Sequence, residues 1–112
     1  MAYFGDNAVR AWVNFNLSNS SIRDDFNISG LNDNGTGRFD VNIDTDMANE
    51  NYSVVATGSG AYSTSLTSSN YNRYAEATVR NAGSVGVACY APNNAVFVDI
   101  SYCGVIICGD LS

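Results

Sequence analysis

Histidine, lysine and glutamine are absent from the 112-residue sequence, and these absences exclude several kinds of site. A Ser-His-Asp or Cys-His catalytic site needs an imidazole as its base. A phosphate-binding P-loop and a Schiff-base enzyme both need a lysine amine. One copy of the chain cannot build any of these sites, and carboxylates are the only acid-base groups present in number.

Charged residues are scarce as well. They make up 14% of the chain, and the net charge is -6 because 11 Asp and Glu outnumber 5 basic residues. This excess of negative charge opposes binding to nucleic acid or to an anionic membrane surface. No apolar stretch approaches the roughly 20 residues that span a bilayer. The N-terminus has no basic segment followed by an apolar run, so we expect the chain to be made and folded in a cytosol.

The length of 112 residues has room for one domain. We expect residues 1–112 to form a single β domain in which residues 1–8 are a short N-terminal attachment segment. Asn, Ser, Thr and Gly are abundant, and they suit turns and polar strand faces better than helix interiors. The composition therefore favours an all-β protein.

Apolar and polar residues alternate with a period of two along much of the chain. In the segment 9–16, one face carries Val9, Ala11, Val13 and Phe15, which is typical of a half-buried strand. The dipeptide Asn34-Gly35 tolerates the positive φ angles of tight turns, so it predicts a β-hairpin between its flanking segments. About seven short strands at regular spacing predict a compact antiparallel β-sandwich or barrel-like domain.

Three segments have a less regular pattern. Residues 22–28 predict one strand whose pairing fails or bulges at Asp24, which interrupts the apolar side. Residues 44–51 predict a polar connection with room for one helical turn. Residues 95–108 predict a long last strand. Its end, residues 105–107, is apolar on both faces, which favours a subunit contact or sheet-to-sheet packing.

The three cysteines, Cys89, Cys103 and Cys108, are odd in number and have apolar neighbours. Without histidine or paired Cys-x-x-Cys motifs they make a poor zinc site. Their context favours buried free thiols that act as small hydrophobic side chains. A disulfide between Cys103 and Cys108 is the alternative.

One acidic cluster could carry chemistry: it comprises Asp40, Asp44, Asp46 and Glu50. Paired carboxylates can hydrolyse glycosidic bonds, and carboxylate and amide oxygens can bind calcium. Acidic residues that follow a strand are more often turn-formers or solvated charges, and the spacing of a calcium-binding loop is missing. We therefore predict no catalytic residue, no metal ligand and no cofactor.

The aromatic residues are more informative. Seven Tyr and one Trp accompany many Ser, Gly and Asn residues, a mixture that suits binding surfaces. The tyrosines within predicted strands, including Tyr52 and Tyr102, are interpreted as packing residues. The polar tract from residue 58 supplies the predicted ligand contacts, which are Tyr62, Asn70, Tyr71 and Asn72.

Trp12 lies on the polar side of its predicted strand. It is open to three interpretations: an interface anchor, a stacking platform for a sugar, or a side chain packed under a loop.

One run of segments resembles a module of tailed-bacteriophage structural proteins. The run comprises residues 11–16 (AWVNFN), 22–24 (IRD), 26–29 (FNIS), 33–37 (DNGTG), Phe39, 41–43 (VNI), Met47 and 51–52 (NY). It is most similar to tail-fibre and receptor-binding proteins of marine and freshwater phages, including cyanophages, over residues 10 to about 56. The resemblance implies a virion component of the tail, made in a bacterial cytoplasm, rich in β-structure and trimeric. It implies no catalytic or metal residues.

Three functional hypotheses follow. The first is a non-enzymatic tail-fibre subunit, a homotrimer that docks to other tail or baseplate proteins and contacts a host surface glycan. The second is a purely structural virion protein, such as a capsid decoration, neck or baseplate fibre, which needs the fold but no host ligand. The third is a small glycan hydrolase that depends on the acidic cluster. Neither nucleic acid nor membrane insertion is expected.

Overall fold

Nine β-strands form in the described part of the chain, which is residues 9–59, 74–91 and 96–112 of a computed structural model. They are β1 (Val9–Asn16), β2 (Ser21–Phe26), β3 (Ile28–Asp33), β4 (Arg38–Ile43), β5 (Ser53–Ser59), β6 (Tyr74–Asn81), β7 (Ser84–Ala91), β8 (Val96–Phe97) and β9 (Tyr102–Cys108). Among these residues no helix is long and apolar enough to cross a membrane. The predicted attachment segment, residues 1–8, lies outside the described residues.

The strands pair into two antiparallel sheets. Sheet A has the strand order β2-β1-β9-β5. Sheet B has the order β3-β4-β7-β6, and the short β8 also pairs with β7. Side chains of both sheets meet in one core, so the predicted all-β architecture is confirmed in its sandwich-like form.

The core is built from alternate residues of each strand. β1 contributes Ala11, Val13 and Phe15, each at most 2% exposed, and β4 contributes Phe39 from the other sheet. The alternation predicted for β1 is therefore confirmed, with one exception. Val9 is 48% exposed because the pairing between β1 and β9 shifts register between Val9 and Ala11.

Asn27 divides the segment that the sequence predicted as one strand. Its φ of 58° turns the chain, so that β2 stays in sheet A and β3 begins sheet B. The Asn27 side chain holds this corner: its amide donates to the carbonyls of Arg10 and Thr45, both at 3.1 Å, and its oxygen accepts the Thr45 N–H at 2.7 Å. The prediction of a single strand was wrong because an alternating pattern continues unbroken through a change of sheet.

The irregular pairing predicted at Asp24 is confirmed. Asn14 pairs with Asp24, but the next residue, Phe15, pairs with Ile22. Arg23 is the extra residue, so the strand bulges there. β2 is an edge strand of sheet A, and all six of its residues are exposed, so it has little share in the core.

The hairpin predicted around Asn34-Gly35 is confirmed between β3 and β4. The N–H of Arg38 donates to the Gly35 carbonyl at 3.1 Å and closes the turn. Gly37 ends it with a φ of 69°, a conformation that a residue with a Cβ rarely adopts. The Gly37 N–H donates to Oδ1 of Asp99 at 2.8 Å, and its carbonyl accepts the Cys89 N–H at 2.7 Å.

The connection between β4 and β5 has no helical turn, contrary to expectation. Met47 is 1% exposed and pairs with Leu111 as an isolated bridge. The Met47 N–H donates to the Ala82 carbonyl at 2.8 Å, and the Ala48 N–H donates to the Asp110 carbonyl at 2.8 Å. These long-range bonds occupy the donors that a helical turn would have needed.

The last predicted strand is also divided between the sheets. β8 pairs with β7 in sheet B, whereas β9 lies in sheet A. Between them Ile100 is fully buried, and its carbonyl accepts the Leu17 N–H at 2.9 Å. The sequence did not predict this crossing because the alternation of apolar and polar residues continues through the change of sheet, as it does at Asn27.

Candidate binding face on sheet A

The four residues predicted to contact a ligand, Tyr62, Asn70, Tyr71 and Asn72, lie outside the described residues. Trp12, the other aromatic residue that the sequence singled out, lies within them. It is half-buried and faces outward from sheet A, away from the core. The outer face of sheet A, which carries Trp12, is therefore the candidate binding surface among the described residues.

One row of large apolar side chains crosses the whole outer face. Trp12 of β1 pairs with Phe26 of β2 on one side and with Ile106 of β9 on the other, and Ile106 pairs with Val55 of β5. Phe26, Val55 and Ile106 are 54%, 59% and 47% exposed. We call these four residues the apolar row.

The apolar row settles one expectation about the C-terminal strand. Val105 and Ile107 point into the core and are at most 1% exposed, whereas Ile106 points outward. The two faces of this segment are therefore not both buried within the chain. Sheet-to-sheet packing accounts for the inner face, and the outer face is left open.

The next row of the same face is polar and contains a gap. Asn14 of β1 pairs with Asp24 of β2 and with Gly104 of β9, and Gly104 pairs with Thr57 of β5. Because Gly104 has no side chain, the middle of this row is empty. Asn14 and Thr57 stand on either side of it.

Tyr102 borders the gap on the far side from the apolar row. Its ring lies under the guanidinium of Arg23, whose Cζ is 4.0 Å from the ring centroid. This cation–π contact orients the phenol of a residue that is 38% exposed. Arg23 is the extra residue of the bulge in β2, so the irregular pairing places its guanidinium over the Tyr102 ring.

Together these rows form a groove of about 490 Å³ that we call the Gly104 groove. Trp12, Ile106 and Val55 form one wall, Tyr102 forms the other, and Asn14 and Thr57 line it between them. The volume falls in the range of about 300–1,000 Å³ that is typical of small-molecule sites.

The groove exists because residue 104 is a glycine, and the backbone does not require one. Gly104 is not one of the described glycines that have a positive φ. A Cβ built there would meet its nearest neighbour, Oγ1 of Thr57, at 3.4 Å, which is ordinary contact. Glycine weakens a strand interior and often marks the close approach of a ligand or another backbone.

The side chains of the groove suit a sugar. The polarised C–H groups of a pyranose ring pack on the electron-rich faces of Trp and Tyr. Sugar hydroxyls need hydrogen-bond partners, and Asn14 and Thr57 offer donors and acceptors within the groove.

The acidic cluster has a different environment. Asp40 is half-buried in β4, whereas Asp44, Asp46 and Glu50 are exposed in the connection that follows. Within the described ranges no three Asp, Glu or Cys residues come together in a group that could hold a metal ion.

The cysteines are free, and two of them are buried as predicted. Cys103 and Cys108 lie on the same extended strand, β9. Five steps of about 3.3 Å separate their Cα atoms by roughly 16 Å, well beyond the roughly 7 Å that a disulfide tolerates. The alternative of a disulfide between these two residues is wrong.

Comparison with family models, with curated proteins and with solved structures finds no match to this chain. The groove itself is therefore the structural basis for a function. Sequence reasoning placed Trp12 on the correct side of its strand, but it assigned Tyr102 to packing and passed over Gly104 and Thr57. A glycine inside an otherwise apolar strand was the available signal for this site.

Proposed function

We propose that the chain is a non-enzymatic virion protein, a tail-fibre subunit that contributes to host recognition by binding a surface glycan in the Gly104 groove. Two observations support this proposal. The first is the resemblance of residues 10–56 to phage tail-fibre proteins. The second, which carries it, is a strand glycine that neither backbone conformation nor packing requires, set between two aromatic side chains.

The shape of the groove supports an extended saccharide as the occupant. The groove is open along the face of the sheet, and its aromatic side chains stand on opposite walls. A sugar ring in it would contact Trp12 on one side and Tyr102 on the other. Arg23 and Asp24 are exposed on the neighbouring edge strand, where Arg23 lies over the Tyr102 ring, so a charged or branched unit would meet them beside the groove.

The proposed contacts of the polar tract belong to the same function. Four residues of that tract are proposed as further ligand contacts because Tyr and Asn side chains suit binding surfaces: Tyr62, Asn70, Tyr71 and Asn72. Residues 1–8 are proposed to dock the subunit to other tail or baseplate proteins.

The test is a binding measurement with the full chain on an array of bacterial surface oligosaccharides, followed by calorimetric titration with the best of them. Gly104→Val fills the groove with a β-branched side chain that suits a strand. We expect this variant to lose at least about tenfold in affinity, or ~1.4 kcal/mol. Val79→Thr is the matched control, because Val79 is 67% exposed on β6 of the other sheet.

Two outcomes would contradict the proposal. One is no binding to any oligosaccharide of the array by the wild-type chain. The other is binding that Gly104→Val and Trp12→Ala leave unchanged, which would place the glycan elsewhere on the surface.

The apolar row supports a second candidate function, that of a structural virion protein without a host ligand. Its four side chains form a continuous strip across four strands, and such strips mark interfaces between proteins. We propose that in this case three copies of the chain bury the row in a homotrimer, as the family resemblance implies.

Native mass by light scattering at several concentrations tests this second function. A species of three chains that binds no oligosaccharide and that Ile106→Thr converts to monomers would favour the structural subunit with the apolar row buried. Glycan binding by a trimer that Ile106→Thr leaves intact would favour the tail-fibre subunit with an open groove, and a monomer at all concentrations would contradict the homotrimer in both hypotheses.

A further inference from the structure

Cys89 and Cys103 face each other across the core. Cys89 lies on β7 of sheet B and is fully buried, and Cys103 lies on β9 of sheet A with 2% exposure. Both belong to the one cluster of buried residues between the sheets. Nothing in the sequence links them, because 13 residues and a change of sheet separate them.

The neighbouring strands place the two thiols opposite each other: Gly58 pairs with Cys103, Ala75 pairs with Cys89, and a Cβ built on Gly58 would lie 3.6 Å from the Ala75 Cβ. A side-chain hydrogen bond with Cys89, followed by burial, raises the pKa of the Cys103 thiol above its ordinary value. The Cys103 thiol therefore stays protonated at neutral pH while the core is closed. Cys108 has a different position: it lies on the outer side of β9 and is half-buried.

We propose that Cys89 and Cys103 are a latent disulfide site that hydrogen peroxide, or another small hydroperoxide, converts to a covalent bond between sheet A and sheet B. The pairing is specific because β9 directs Cys103 inward and Cys108 outward. The bond would join two strands that share no backbone pairing, so it would add a covalent link between the two layers.

The reaction balances with peroxide as the oxidant. One thiol loses its proton, and its sulfur attacks the O–O bond to give a sulfenic acid, while the departing hydroxide takes up that proton as water. The sulfur of the second thiol then attacks the sulfenic sulfur. The S–S bond forms, and the hydroxyl leaves with the second thiol proton as another water. Two electrons pass from the sulfurs to the peroxide.

Two properties of the reaction follow from the site. It is slow, because the raised pKa of Cys103 leaves little thiolate. It also needs peroxide to enter the core through local opening of the sandwich. Its rate is therefore expected to rise with pH and with temperature below the melting transition. The side chains of the pair point into the core, on the opposite side of β9 from the outward-facing side chains of the Gly104 groove.

The test uses the full chain, reduced, freed of reductant and then treated with hydrogen peroxide under native conditions. We expect the count of reactive thiols in the unfolded product to fall from 3 to 1. The intact mass should fall by two hydrogen atoms. The oxidised chain should melt at least ~5 °C above the reduced chain, and a thiol reductant should reverse the change.

Cys108→Ser is the matched variant, because it keeps the buried pair and removes the third thiol. It is expected to lose both remaining thiols and the same two hydrogen atoms, which assigns the bond to Cys89 and Cys103. Cys103→Ser should form no intramolecular disulfide. The assignment does not depend on the folding of Cys103→Ser, because the wild-type chain and Cys108→Ser decide it.

Several results would overturn the proposal. Addition of oxygen atoms without loss of two hydrogens would show oxidation of isolated thiols. A disulfide in the wild-type chain that is absent from Cys108→Ser would involve Cys108. A bond that forms only after unfolding would show that the folded core cannot bring the two sulfurs together.

Discussion

Phe15 of β1 and Phe39 of β4 pack edge to face across the core, with their ring centroids 4.5 Å apart and their planes at 74°. Both side chains are at most 1% exposed. Because β1 belongs to sheet A and β4 to sheet B, this aromatic pair is one of the contacts that join the two layers. The stability of the fold is expected to depend on it.

Phe39→Ala should lower the free energy of unfolding by about 3–5 kcal/mol, since it removes the aromatic contact and leaves a cavity. Phe97→Ala is the control, because Phe97 is 53% exposed and its one described ring contact is with Arg38. We expect that control to cost less than about 1 kcal/mol. Urea unfolding measures both, and equal costs would show that the pair does not hold the sheets together.

Asn27→Ala should lower the free energy of unfolding by about 2–3 kcal/mol, because it removes three hydrogen bonds and places an alanine at a φ of 58°. Asn27→Gly loses the same bonds but relieves the backbone, so it should cost about 1 kcal/mol less. Thermal or urea unfolding of both variants separates the two contributions. If the alanine variant were as stable as the glycine variant, a Cβ at this φ would cost nothing, which would contradict the prediction of backbone strain at residue 27.

Gly37→Ala should cost more than about 3 kcal/mol or prevent folding, because the φ of 69° and a contact of 2.5 Å with the Cys89 carbonyl oxygen both exclude a Cβ. Gly30→Ala is the contrasting change: a Cβ there meets nothing within 4 Å. That variant should be neutral or stabilised by up to about 1 kcal/mol. Circular dichroism melts would compare the two, and similar behaviour would contradict the assigned turn geometry.

Tyr52→Phe should lower the free energy of unfolding by about 1–2 kcal/mol at pH 7. The Tyr52 hydroxyl lies 2.8 Å from the Asn81 carbonyl and 2.9 Å from the Ser84 carbonyl, and the side chain is 7% exposed. Its loss leaves these acceptors without that donor. Urea unfolding at pH 7 measures the difference.

The same pair of proteins tests a pH dependence. Burial raises the pKa of Tyr52 above its ordinary value of 10.0, against an opposing effect of Arg80. The folded state therefore holds this proton more tightly than the unfolded state, and the stability that it contributes is complete below pH 10 and is lost as the pH rises above it. The stability gap between wild type and Tyr52→Phe should narrow above pH 10. A constant gap up to pH 11.5 or so would contradict the raised pKa.

Local features of this fold were predictable because neighbouring residues carry the signal. Alternation along Val9–Asn16 depends only on the two-residue period of a strand, and the Asn34-Gly35 turn depends on the φ angles that its own residues tolerate. The bulge near Asp24 was visible for the same reason, as a polar residue on an apolar side.

The two places where the chain changes sheets were not predictable. At Asn27 and around Ile100 the alternation continues, so the sequence reads as one strand on each occasion. The crossings depend on hydrogen bonds to partners far away in sequence, the carbonyl of Arg10 in one case and the N–H of Leu17 in the other. No local preference encodes such partners.

The candidate site likewise has one feature that the sequence predicted and others that depend on the tertiary structure. That Trp12 faces away from the core follows from its position in the alternating pattern. That it stands beside Ile106 and Val55, with Gly104 empty in the next row, depends on β9 lying between β1 and β5. The contact between Cys89 and Cys103 likewise needs both sheets to be assembled.

The sequence by itself determined the strand content, the tight turns and the absence of imidazole and lysine chemistry, because these depend on composition and on near neighbours. Only the tertiary structure decided which strands lie side by side, and with them the apolar row, the Gly104 groove and the buried thiol pair. Strand order is selected by the burial of a shared core, to which residues distant in sequence contribute together.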